Sequence, residues 1–163
     1  MDAKTNPKQY WTDRVNEATA SGSADARAEL VEEILAHLID TYPFFDMCLE
    51  YMCTRYEVTE EEIKGPGRVR KFAHIRFELV WLVRAGQAQN EVRQLYPNEM
   101  TYEALGMHLG GRDHSTMVHA ISWVRNKMRR STQYAKKMDG MLAEVIDLAA
   151  QANKDDKLNK KVA

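Results

Sequence analysis

The chain has 163 residues, 44% of them hydrophobic and 29% charged, with a formal net charge of −1. That length and balance fit one helical domain with appendages, and the absence of any run of 18 apolar residues excludes a helical membrane span. The near-zero net charge conceals segregation: residues 64–137 hold 14 Lys and Arg against 5 Asp and Glu, a net +9, while the rest of the chain is −10. A basic middle between acidic ends is the electrostatic pattern of a polyanion binder.

Residues 1–22 read as a flexible arm, in which Tyr10, Trp11 and Val15 could form a short docking helix before the Ser-Gly-Ser linker at 21–23. The N-terminus has no apolar core of a secretory signal, so a cytoplasmic location is expected. Ser23 caps a predicted helix to about Tyr42, with Leu30, Val31, Ile34, Leu35, Leu38 and Ile39 as its apolar stripe. Pro43 interrupts, and a second, largely apolar helix follows through Phe44, Phe45, Met47, Cys48, Leu49, Tyr51 and Met52. Residues 23–55 thus form a helical extension. Cys48 and Cys53 lack a second pair, so neither a zinc site nor a disulfide is expected of them.

Thr59 and Glu62 form a capping-box pattern for a short helix. Gly65-Pro66-Gly67 breaks it and leads into a basic loop with Arg68, Arg70 and Lys71. The next predicted helix carries Phe72, Ile75, Leu79 and Leu82 on one face and ends near Gly86. Residues 86–100 are polar and read as an insertion. Thr101 caps a helix with Tyr102, Leu105 and Leu109 on one side. Gly110 and Gly111 end it, since glycine readily adopts φ > 0.

A further helix starts at Arg112 or Asp113, with Met117, Ile121, Val124 and Met128 on an apolar face and Ser115, His119, Ser122 and Asn126 on a polar one. Two short helices joined by a glycine turn, with polar residues at the entry of the second, make a helix-turn-helix. Ser131-Thr132 caps a C-terminal amphipathic helix over 131–152, built on Tyr134, Met138, Met141, Leu142, Val145, Ile146 and Ala149. Residues 153–163 read as a flexible tail.

The run GGRDHSTMVHA at 110–120 resembles the signature of the DnaA C-terminal DNA-binding domain (domain IV) family of chromosomal replication initiators, usually GGRDHTT, an apolar pair and His-Ala. Gly110, Gly111, Arg112, Asp113, His114, Thr116, His119 and Ala120 match. The resemblance reaches back to about Tyr56 and forward to about Met128, so 56–130 is the expected DNA-binding domain. It implies an all-α fold with a helix-turn-helix of the domain IV or Trp repressor-like type, flanked by the N-terminal extension and the C-terminal helix.

It implies sequence-specific binding of double-stranded DNA, in origin recognition or in the regulation of replication initiation or transcription. The major-groove residues would be Arg112, Asp113, His114, Ser115 and Thr116. Arg112 is long enough for a phosphate or a guanine. Asp113 accepts from cytosine, and His114, Ser115 and Thr116 meet base edges or phosphates. Ser115 stands where the family has Thr, which implies an altered preference at one thymine-contacting position. The resemblance also implies a minor-groove arginine, Arg68 or Arg70, with Lys71 and Arg76 as phosphate contacts. Arg76 could instead pair with an acid such as Glu78 or Glu103.

The family usually joins its helices by a few residues where this chain has the 86–100 insertion. No G-x-x-x-x-G-K-[ST] loop occurs, so no nucleotide is expected; His114 and His119, five apart, miss the i, i+4 spacing of zinc-binding helices, so no metal is expected, and no other cofactor is called for. No catalytic constellation has convincing spacing, and a small nuclease built on Asp113, His114 and His119 is the enzyme reading set aside. The rival binding reading is an adaptor that meets a replication protein, or itself, through its N- and C-terminal helices, with Phe44 and Phe45 in the contact surface.

Overall fold

The computed structural model describes residues 7–39, 42–67 and 69–162, all in helices and short connections with no strand among them. The chain divides into two compact units, residues 1–41 and 42–163.

In the first unit, α1 (Pro7–Ser21) and α2 (Ala24–Ile39) form a hairpin. A helix thus occupies most of the stretch expected to be a flexible arm. It is built from side-chain pairs that hydropathy does not register. Gln9 donates to Asp13 one turn on at 2.8 Å, and Arg14 meets Glu17 at 2.8 Å. Arg14 also bridges to Glu33 of α2 at 2.7 Å, and the Tyr10 hydroxyl donates to the same carboxylate. These hydrogen bonds, from Arg14 first, hold the Glu33 carboxyl below its ordinary range. Leu30 is buried and Val31 exposed; the side chains of Leu35, Leu38 and Ile39 lie outside the described residues.

The second unit contains α3 (Pro43–Tyr56), α4 (Glu60–Lys64), α5 (Arg70–Gln87), α6 (Asn90–Leu95), α7 (Tyr102–His108), α8 (His114–Arg130) and α9 (Thr132–Val162). Pro43 opens α3 at its first turn, where the missing N–H costs nothing. The capping box of α4 forms on Thr59 and Glu62. At the centre lies α5, with α3, α4, α6, α8 and α9 packed around it. Its Ile75, Leu79, Val80, Leu82 and Val83 meet Phe44, Phe45, Leu49 and Met52 of α3 in one buried cluster with Met117, Ile121 and Val124 of α8 and Met138, Met141 and Val145 of α9.

Phe44 and Phe45 are 2% and 1% exposed, so they are core and not a docking surface. Burial of each phenyl ring is worth roughly 2–3 kcal/mol. Accordingly α3, which the sequence places in an extension, belongs to the helix-turn-helix unit. Cys48 is buried and Cys53 half-buried, both as free thiols.

The 86–100 stretch is not an open polar loop. It folds into α6, which packs against α9, with Val92 and Met100 fully buried and the Tyr96 ring 5.8 Å from that of Phe44. Arg84 ties its end down, pairing with Glu99 at 2.8 Å and donating to the Met100 carbonyl at 2.9 Å.

A second polar tie is buried. Glu78 of α5, 4% exposed, accepts from the hydroxyls of Tyr56 and Tyr134 and from Lys137 at 2.9 Å. Three donors from two helices, α3 and α9, compensate one buried carboxylate. The helix α9 runs through the expected tail to Val162, with Lys160 and Asp156 paired at 2.6 Å one turn apart. No helix among the described residues is long and apolar enough to cross a membrane, and no cluster of three or more metal-ligating side chains occurs among them.

Candidate nucleic-acid interface

The turn between α7 and α8 is shaped by two glycines in the left-handed region, Gly110 (φ 87°) and Gly111 (φ 72°). Thr101 caps α7 by accepting from the Ala104 N–H at 3.2 Å. Asp113 caps α8, its carboxylate accepting from the Ser115 N–H at 2.8 Å, and hydrogen bonding from the Ser115 side chain, then from this N–H, lowers its pKa. The expected faces of α8 are realised. Met117, Ile121 and Val124 are buried and Met128 half-buried, whereas Ser115, His119, Ser122 and Asn126 face solvent.

At the entry of α8, the side chains of Asp113 and His114 are 67% and 57% exposed, with His114 Nδ1 3.5 Å from Asp113 Oδ1. Ser115 is exposed and Thr116 half-buried beside them. Val118, half of the apolar pair in the signature, is 45% exposed. It lies three residues beyond Ser115 and four before Ser122, on the same side of the helix. An exposed valine there offers an apolar contact of the kind that suits a thymine methyl group. His119 is exposed and meets the Phe77 ring edge-on at 5.6 Å.

Two of the arginines expected to touch DNA are committed elsewhere. The Arg112 guanidinium donates to the carbonyls of Lys64 at 3.2 Å and Gly65 at 2.7 Å, and to that of Leu109. Arg76, 6% exposed, donates to the carbonyls of Ile63 and Gly67, each at 3.0 Å. Burial and the nearby Arg112 charge lower its pKa. The acids expected as its partners, Glu78 and Glu103, do not take that part. Together the two arginines satisfy four carbonyls of the 63–67 segment and fasten it to α5 and to the helix-turn-helix. Gly110 permits the approach, since a Cβ there would collide with the Lys64 carbonyl oxygen. Between the Gly65-Pro66-Gly67 loop, α5 and the start of α8 lies a cleft of about 470 Å³ floored by Phe77, Val80 and Met117.

Arg68 lies outside the described residues. Arg70 and Lys71 are exposed in the first turn of α5, which holds no acidic residue. Cations at the positive end of a helix are disfavoured by its macrodipole, a cost that an approaching anion removes. The first turn of α5 thus presents basic side chains and the entry of α8 polar ones.

A family model, bacterial DnaA protein helix-turn-helix, matches residues 45–124. Over 88 residues the chain is 25% identical to the chromosomal replication initiator protein DnaA of Chlorobaculum tepidum, covering 54% of this chain and 16% of that protein. Over 142 residues it is 27% identical to the protein of the same name from Thermomicrobium roseum, covering 86% of this chain and 24% of that one. The chain thus spans a quarter or less of the length of these relatives. No solved structure matches it. The match begins inside α3 and ends in α8, so it takes in the loop, the central helix and the glycine turn just described: residues 45–124 of this chain are similar to the helix-turn-helix of bacterial DnaA.

Proposed function

We propose that the chain binds double-stranded DNA sequence-specifically, at a replication origin or at a site regulating initiation or transcription. The first turn of α8 enters the major groove. Asp113 accepts from a cytosine amino group, His114 and Ser115 hydrogen-bond neighbouring base edges, and Val118 and the Thr116 methyl contact a thymine methyl group. Arg70 and Lys71, with Arg68, engage the backbone or the adjacent minor groove. Arg112 and Arg76 act indirectly, by fixing the 63–67 segment that leads into the first turn of α5, where Arg70 and Lys71 stand.

The observation that carries this reading is the capped, exposed entry of α8, where Asp113, His114 and Ser115 project, together with the exposed Arg70 and Lys71 of the first turn of α5, which have no ion-pair partner among the described residues. Selection from a random duplex library tests it. The wild type should enrich one motif, and His114→Ala should lose preference at one position, costing about 1–3 kcal/mol for a bidentate base pairing. Ser115→Thr should shift the preference at a single thymine. Equal binding of all sequences by the wild type would refute the reading.

A further inference from the structure

The polar face of α8 does not end at the residues placed against the bases. Ser122 and Asn126 continue it, exposed, to Arg130 at the end of the helix. At 1.5 Å per residue, Asn126 lies about 16 Å along the axis from Ser115. The major groove is only about 12 Å wide. A helix with its first turn on base edges therefore carries its second half out against the sugar–phosphate strand.

At that place there is a cleft of about 340 Å³, lined by Ser122, Trp123, Asn126, Lys127, Arg130 and Ser131. The Lys127 ammonium lies 4.8 Å from the centre of the Trp123 ring and 4.2 Å from that of Tyr134. Two aromatic faces thus hold the charge in place, and no carboxylate takes up its hydrogens. Neither Lys127 nor Arg130 has an ion-pair partner among the described residues, and no acidic side chain lines the cleft. The His74 ring stacks on that of Trp123 at 4.6 Å. The site combines two cations, the hydroxyls of Ser122 and Ser131 and the Asn126 amide at one opening. That donor set suits a phosphodiester oxygen.

We propose that this cleft grips a backbone phosphate of the same duplex, flanking the bases read by the first turn of α8. The grip lengthens the footprint without reading sequence, and it rests on the assignment of α8 as the groove element. The test uses the full chain, the wild-type motif trimmed to its enriched bases, and the same motif with a helical turn of flanking DNA on each side. Lys127→Gln with Arg130→Gln should bind the flanked duplex about tenfold more weakly and the trimmed one like wild type. Its salt slope on the flanked duplex should be shallower by about 0.9 for each phosphate no longer neutralised, and its enriched motif should be unchanged.

Asn126→Asp introduces a negative charge without touching the Lys127 stack. It should act in the same direction, which covers any packing defect in the double variant. Wild-type affinity and slope on the flanked duplex, or equal weakening on both duplexes, would overturn the grip while leaving base reading intact. If the wild type enriches no motif, base reading fails by itself. The salt slope on a random duplex then decides the grip: it stands if the double variant is shallower and falls if it is not.

Discussion

Replacing Arg112 separates two roles that its place in the helix-turn-helix confounds. Its guanidinium satisfies the carbonyls of Lys64, Gly65 and Leu109. A hydrogen bond to a charged group contributes about 1.5–3 kcal/mol. Arg112 is half-buried, so water can replace part of this in the variant, and the three bonds together should be worth roughly 2–4 kcal/mol rather than their full sum. Arg112→Ala should therefore lower stability by that amount, or Tm by several degrees, in urea and thermal unfolding. Arg112→Lys, with one charged nitrogen in place of the fork, should recover less than half.

DNA affinity should fall for both variants while the salt slope stays near wild type, because no phosphate contact is removed. The reasoning is refuted if Arg112→Ala unfolds like wild type yet loses affinity with a slope shallower by about 0.9. Arg112 would then be a direct phosphate ligand.

Gly110→Ala should destabilise the unit by more than 2 kcal/mol, from about 1–2 kcal/mol for the left-handed backbone plus the collision with the Lys64 carbonyl. Gly111→Ala, with open space around it, should cost only the backbone term, and urea unfolding of the pair reads the difference. Asp113→Asn keeps the cap of α8, since Asn caps as well as Asp, so its melting should match wild type. Its added amide donor should move base preference in a site selection from cytosine toward adenine.

Glu78→Gln leaves Lys137 without its counter-charge and should cost roughly 2–3 kcal/mol, less than a fully buried pair because Lys137 is 34% exposed. Burial, and then the Glu144 hydrogen bond, push Tyr51 from 10.0 up to about 12. The folded state favours its neutral form, so that contribution to stability is complete below pH 10 and lost as pH rises toward 12. Tyr56 and Tyr134 shift in the same direction. Tyrosinate absorbance from these three should therefore appear together with unfolding, not before it.

Local signals make much of the helix-turn-helix legible in the sequence. Thr101, Gly110, Gly111 and Asp113 each act through backbone geometry or capping within a few residues, and each stands where its chemistry places it. The face of α8 follows from period alone. The arginines do not follow, because Arg112 is chosen by carbonyls 47 and 48 residues earlier. No spacing rule encodes that pairing, and a long cation beside a recognition helix reads as a ligand until its acceptors are located.

The helix of residues 7–21 escapes for a different reason. Its side-chain pairs and the Glu33 bridge add helical stability with almost no apolar stripe. Residues 86–100 look polar on average, yet Val92, Tyr96 and Met100 are enough to dock them, because burial acts on single side chains and not on window averages.

The arginine-fastened 63–67 segment has a further consequence. Arg76 and Arg112 make the loop and the start of α8 parts of one solid body, with neither able to move a few ångströms without breaking charged hydrogen bonds. Such a body works as a calliper on the double helix. Adding one base pair between the two places it touches shifts them by about 3.4 Å and also rotates one around the axis relative to the other. A flexible loop would follow that change, whereas a fastened one cannot. The length of DNA between the two contacts thereby becomes part of what the protein recognises, even where no side chain meets a base.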